Sequence, residues 1–144
     1  MSEAIGIAAE LIKRFEGCSL VSYCCPAGVW TIGYGHTGAD VKEGKKITGH
    51  EADQILMRDV AHACANVTCL VKAELNNNEL AALTSFVFNV GAAAFTRSTM
   101  LKLLNAGKPR LSVSAEFNKW VFAKGRELPG LGLRRDAERK LFLS

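Results

Sequence analysis

A chain of 144 residues with 49% hydrophobic and 22% charged side chains can fold as one domain around its own core without disulfides. The lack of low-complexity runs and the presence of only three prolines exclude a disordered linker. A net charge of +4 and a pI near 8.9 suit polyanionic partners such as an acidic wall polymer, anionic lipid or nucleic acid, but an excess this small also describes an ordinary solvated surface, and no nucleic-acid motif accompanies it.

The first predicted element is an amphipathic helix in MSEAIGIAAELIKRFEG, with Ile5, Ile7, Leu11, Ile12 and Phe15 apolar and Glu3, Glu10, Lys13 and Arg14 interrupting them. Those charges leave no apolar span of signal-peptide or transmembrane length, so neither an export signal nor a membrane segment is expected. Ser19 to Thr37 follows, rich in Gly, Val, Tyr, Trp, Thr and Ile with turn chemistry at Pro26-Ala27-Gly28. It predicts a small antiparallel sheet.

Everything after this sheet reads as helical. Thr48 and Glu51 form a capping box that starts a helix near Gly49, running to about Asn66. Asn76 and Glu79 repeat the offset and open a helix to Gly91 that is apolar nearly all round, which suits the centre of a helical cluster. Further helices are predicted over Ser98–Asn105, stopped at Gly107, over Leu111–Lys124, stopped at Gly125, and over Leu133–Phe142. The fold class is therefore α+β, a single domain over residues 1–144. A first helix and small sheet lobe occupy about 1–48 and a larger helical lobe about 49–144, with a cleft between them.

Five cysteines, Cys18, Cys24, Cys25, Cys64 and Cys69, are many for a reducing compartment, and their spacing is not C-x-x-C. His62, Cys64 and Cys69 make a weak metal set, since cysteines on a buried helix face usually act as small apolar residues.

Several segments together carry a resemblance: RFEG, GVWTIGYGHTG, KKITGHEADQIL, NNNELAALTSFVFNVGAAAFTRSTMLKLLNAG and LPGLGLRRDAERKLFL. In order and spacing, from Ile5 to Leu143, the chain resembles the phage-type lysozyme (endolysin) family of glycoside hydrolases. The family's catalytic set is a Glu, an Asp nine residues on and a Thr six beyond that, which falls here on Glu16, Cys25 and Thr31. Cys25 departs from the usual Asp. Signal-anchor endolysins resemble the chain more closely still, because some carry cysteines at the positions of Cys18 and Cys25 and share the run CPAGVWT, although their apolar anchor is missing here. The resemblance also implies a lysozyme-like fold, a substrate cleft bordered by His36, Phe88, Asn89 and Ser98, a supporting Arg134, and no cofactor or metal.

Glycosidic cleavage needs an acid for the leaving oxygen and a second group to stabilise, attack or deliver water to the oxocarbenium-like carbon. Glu16 is the acid in this reading, with Thr31 positioning the water or the Cys25 side chain. Cys25 serves as base for water or as nucleophile, and the water-activating role is favoured because family members with Asp here are understood as inverting. Either role requires a thiol pKa below its usual value of about 8.5. A thiol can also be masked reversibly, and a Cys18–Cys25 disulfide is the expected regulatory pair, since adjacent Cys24 and Cys25 would strain the backbone.

The function expected is hydrolysis of the β-1,4 bond between N-acetylmuramic acid and N-acetylglucosamine in peptidoglycan, lysing the host. Such an enzyme is a monomer made in the host cytoplasm, which reaches the periplasmic wall through a lesion opened by a holin-like protein. Two other classes remain open: a cell-wall peptidase built on Cys25 and His36, and a wall-binding module whose catalysis was lost with the Asp. Trp30 and Trp120 could stack on sugar or simply pack.

Overall fold

The computed structural model describes residues 2–123 and 125–144. Among these residues the chain order is α1 (Ser2–Phe15), β1 (Ser19–Cys24), β2 (Trp30–Gly33), β3 (His36–Thr37), α2 (Gly49–Leu70), α3 (Asn77–Val90), α4 (Ala92–Thr96), α5 (Thr99–Asn105) and α6 (Arg110–Ser114). A 3-10 turn (Phe117–Lys119), β4 (Phe122–Ala123), β5 (Arg126–Glu127) and α7 (Pro129–Leu143) complete it. The fold is mixed α+β and mostly helical.

Both predicted capping boxes form. Thr48 Oγ1 accepts from the Glu51 N–H at 3.1 Å while Glu51 Oε1 accepts from the Thr48 N–H at 3.1 Å, and Asn76 and Glu79 make the same exchange at 2.7 and 2.9 Å. Started this way, α3 is the central helix. Leu80, Ala81, Ala82, Leu83, Phe86 and Val87 are all buried, and α1, α2 and α7 pack around it. Phe86 meets Phe95, Phe117 and Trp120 edge-on, with ring centroids 6.2, 5.5 and 5.4 Å away.

Three expectations change. First, α1 belongs to the helical lobe, because Ala4, Ala8, Ala9 and Ile12 pack into the same core as α2 and α3. The small residues let the helices approach closely, so Ile5, Ile7 and Phe15 remain only partly buried. Second, the helix expected over Leu111–Lys124 stops at Ser114. A 3-10 turn follows, and then the two-stranded sheet β4–β5 with Phe122 opposite Glu127; the predicted end at Lys124 lies outside the described residues. Third, α7 starts at Pro129 rather than Leu133, with the proline in the first turn, where its missing N–H costs nothing.

The sheet lobe has its own small core of Ile32, Val41, Ile47, Ala52 and Ile55. The last two come from α2, so this helix floors the sheet lobe at one end and runs into the main core at the other. The sheet order is β1-β2-β3, antiparallel throughout. Between Ser19 and Tyr23 the β1 register slips, and there the chain pairs instead with 45–47: Val21 bridges Lys46 and the Ile47 N–H donates to Leu20 O at 2.9 Å.

Candidate active site

Glu16 follows directly on α1, its N–H closing the last turn on Ile12 O at 2.9 Å. This places its carboxylate where the lobes meet. Oε1 accepts from Arg134 Nη1 at 2.9 Å, while Oε2 lies against the β2–β3 turn, 3.0 Å from where a side-chain carbon on Gly35 would stand. Gly35 has φ +75°, a left-handed conformation that also favours glycine. The carboxylate is thus braced from α7 and from the sheet, yet its side chain remains 25% exposed.

Arg134 is 3% exposed and uses every arm of its guanidinium. Besides Glu16, Nη2 donates to Ser85 O at 3.2 Å and Nε donates to Glu138 Oε2 at 3.3 Å. Glu138 is fully buried, accepts from Ser85 Oγ at 2.6 Å, and has Arg135 Nη1 2.9 Å from its other oxygen, an ion pair out of hydrogen-bond alignment. Arg135 lies over the Phe86 ring and donates through Nη2 to Asn89 Oδ1. Burial pushes the Glu138 carboxyl up from its ordinary value, against the opposing pull of Arg135 and Arg134. The same loss of water pushes Arg135 down.

Gly35, which backs Glu16, also stands in the wall of a cavity of about 370 Å³ that Glu16, Cys25 and Thr31 do not themselves line. His36 and Thr37 line it from the sheet, Asp59 and His62 from α2, and Phe88 from the end of α3. His36 Nδ1 is 2.7 Å from Asp59 Oδ2, and its Nε2 is 3.1 Å from Asp40 Oδ2. Only the doubly protonated ring donates to both carboxylates at once. The contact to Asp59 ties the sheet lobe to α2. Asp40 is in turn held below its ordinary carboxyl value, chiefly by the hydrogen bond from His36.

Cys25 and Thr31 sit on the sheet. Cys25, half-buried, opens the β1–β2 turn: its N–H donates to Val29 O at 2.9 Å and its carbonyl accepts from Gly28 N–H at 2.8 Å. Thr31 is 5% exposed, lies on the face of β2 opposite the core residue Ile32, and donates to Val29 O at 3.1 Å.

The remaining candidates separate. Phe88 and His36 line the cavity, whereas Asn89 is exposed and bound to Arg135. Ser98 is buried as the cap of α5, accepting from Leu101 N–H and donating to Phe95 O, so its hydroxyl is spent on the helix rather than offered to the cleft. Trp30 packs on the sheet core and Trp120 on Phe86.

The Cys18–Cys25 disulfide does not fit this arrangement. The two residues flank β1 at opposite ends: Ser19 and Cys24 between them pair with Gly33 and Trp30, about 10 Å apart at about 3.3 Å per strand residue, and Cys18 and Cys25 lie beyond these on either side. A disulfide needs Cα atoms within about 7 Å. Cys18 lies beside Tyr34, whose hydroxyl is pushed up by burial first and by the neighbouring Cys18 second.

Ser85, Glu138 and Asp59 belong to the site although no sequence pattern singles them out as functional. Glu138 leaves a faint trace, since Arg134 and Glu138 stand four apart on one helix face. Asp59 and Ser85 leave none, being brought to their partners only by the fold.

A family model described as Phage lysozyme matches residues 13–138. The endolysin of Acyrthosiphon pisum secondary endosymbiont phage 1 is 46% identical over 138 residues, 93% of each chain. The SAR-endolysin of Enterobacteria phage PA-2 is 35% identical over 146 residues, covering 97% of this chain and 88% of the relative. Among solved structures, the muramidase domain of SpmX from Asticaccaulis excentricus superposes with a TM-score of 0.87 at 36% identity over 95% of both chains. With a family match over most of its length and relatives 35% and 46% identical, this chain belongs to the phage lysozyme family of glycoside hydrolases.

Proposed function

We propose that the chain is an endolysin that hydrolyses the β-1,4 bond between N-acetylmuramic acid and N-acetylglucosamine in peptidoglycan and so lyses the host cell. The observation that carries this reading is the Glu16 carboxylate, braced by Arg134 at 2.9 Å and by Gly35 beside an open cavity between two lobes. An exposed edge on an otherwise fixed carboxyl is what a proton donor to a bound glycosidic oxygen requires.

In this mechanism Glu16 protonates the leaving oxygen while the sugar develops oxocarbenium character. Cys25, as thiolate, draws a proton from water that attacks the anomeric carbon from the opposite face, and Thr31 holds that water or the sulfur in place. His36 and Phe88 border the glycan, and Arg134 fixes the direction of the Glu16 proton. The enzyme works as a monomer without cofactor, made in the host cytoplasm and admitted to the wall by a holin-like protein.

The peptidase reading loses its histidine. Both ring nitrogens of His36 face carboxylates, and its strand β3 is separated from β1 and Cys25 by β2. A non-catalytic wall binder has no particular use for a carboxylate held this firmly.

Clearing of outer-membrane-permeabilised cells tests the proposal. Glu16→Gln should lower the rate by about 10²–10⁴ while leaving the urea midpoint within reach of the parent. New reducing ends support the muramidase; new amino groups, or a fully active Glu16→Gln, would refute it. A product of retained anomeric configuration would remove the direct-water step alone.

A further inference from the structure

We propose that Glu138, held by Ser85, is a positioning residue that shares Arg134 with Glu16 and thereby sets the upper pH limit of the enzyme. The inference rests on Glu16 being the acid, and it concerns residues that never touch substrate.

Arg134 and Arg135 face Glu138 and Glu16, and the four groups sum to zero when all are ionised. Protonating Glu16 for catalysis leaves the cluster at one net positive charge. If Glu138 were neutral, the same protonation would leave two positive charges around a site with little water to screen them, and Glu16 would surrender its proton more readily. A lone arginine 2.9 Å from a carboxylate favours the ionised form, which is the wrong form for an acid. Glu138 offsets that pull because Arg134 Nε is directed at it rather than at solvent.

Ser85 holds the counter-charge in place. Its hydroxyl donates to Glu138 Oε2 at 2.6 Å, and its carbonyl accepts from Arg134 Nη2 at 3.2 Å. One residue of α3 therefore opposes the burial that pushes the Glu138 carboxyl up, and fixes the guanidinium plane. The charged residues that precede Glu16 in the chain are engaged elsewhere: Lys13 with Asp53 at 3.2 Å and Arg14 over the Phe15 ring. From α3 the Glu138 carboxylate meets only the Ser85 hydroxyl, and from its own helix it meets Arg134 and Arg135.

The test is the pH profile of kcat/KM for wild type, Ser85→Ala and Glu138→Gln, together with a ¹³C titration of the Glu16 carboxyl in all three. Glu138→Gln should move the alkaline limb down by about one pH unit, and Ser85→Ala by a smaller step in the same direction. Should Glu138→Gln fail to fold, Ser85→Ala, which removes one oxygen from a buried site, carries the test. An alkaline limb and a Glu16 titration midpoint that stay put in both variants, while Tm falls, would make Glu138 a structural ion pair and overturn the proposal. Because the carbon titration does not depend on turnover, it separates this outcome from failure of the catalytic reading: an active Glu16→Gln would refute the acid role, whereas an unmoved Glu16 titration refutes only the tuning.

Discussion

At the scale of single residues, the unusual choice is a thiol at position 25, where the resemblance to phage-type lysozymes implies a carboxylate. A carboxyl near pKa 3.9 is ionised throughout the neutral range, whereas a thiol of about 8.5 must be lowered by its surroundings to supply a base. Cys25→Asp is therefore expected to clear cells at least as fast as wild type, to extend activity to lower pH, and to resist iodoacetamide. Cys25→Ser should lose most of its rate, having no group that ionises. Initial rates between pH 4 and 9, with and without alkylation, decide this; an active serine variant would remove Cys25 from the mechanism.

At the scale of elements, the turn between β2 and β3 does more than reverse the chain. Gly35 brings that turn into contact with the residue that follows α1, and its φ of +75° costs an L side chain roughly 1–2 kcal/mol. A Gly35→Ala methyl would also meet Glu16 Oε2 at 3.0 Å and displace the carboxylate from Arg134. The variant should consequently lose activity by more than tenfold while its urea midpoint reports only the backbone strain of about 1–2 kcal/mol. Equal losses in both measurements would mean that the turn matters for folding alone. The helices show the contrasting case of purely local control. The capping boxes at Thr48 and Asn76 follow from side-chain chemistry three residues apart, so they could be read directly from the chain.

At the scale of the whole molecule, the two lobes have separate cores joined by α2, and His36 with Asp59 clasps the sheet to that helix at 2.7 Å. A double-mutant cycle on His36→Gln and Asp59→Asn should give a coupling of about 1–2 kcal/mol, read from urea denaturation. Asp40 adds a pH signature. Its carboxyl is held below the ordinary 3.8, so its stabilisation is fully present above that value and is lost as pH falls through the lower folded value. The stability deficit of Asp40→Asn should accordingly vanish in acid, and a deficit unchanged down to pH 2 would show that the His36 contact carries no electrostatic stabilisation.

Local chemistry and periodicity determined a good deal by themselves: the capped starts of α2 and α3, the apolar centre of the helical lobe and the antiparallel sheet. These features depend on neighbours within a few residues or on the repeat of a helix face. Contacts between distant segments were decided only by the tertiary structure. It moved α1 into the helical lobe through its alanines, turned the segment after Ser114 into a 3-10 turn and a hairpin, and spent the Ser98 hydroxyl on a helix cap. It also set Cys18 and Cys25 at opposite ends of a strand, and brought Glu16, just past α1, together with Ser85 of α3 and Arg134 and Glu138 of α7. The physical reason is that burial and charge pairing act across space: which carboxylate shares which arginine is settled by how helices pack, and one sequence position says nothing of its partner more than a hundred residues away.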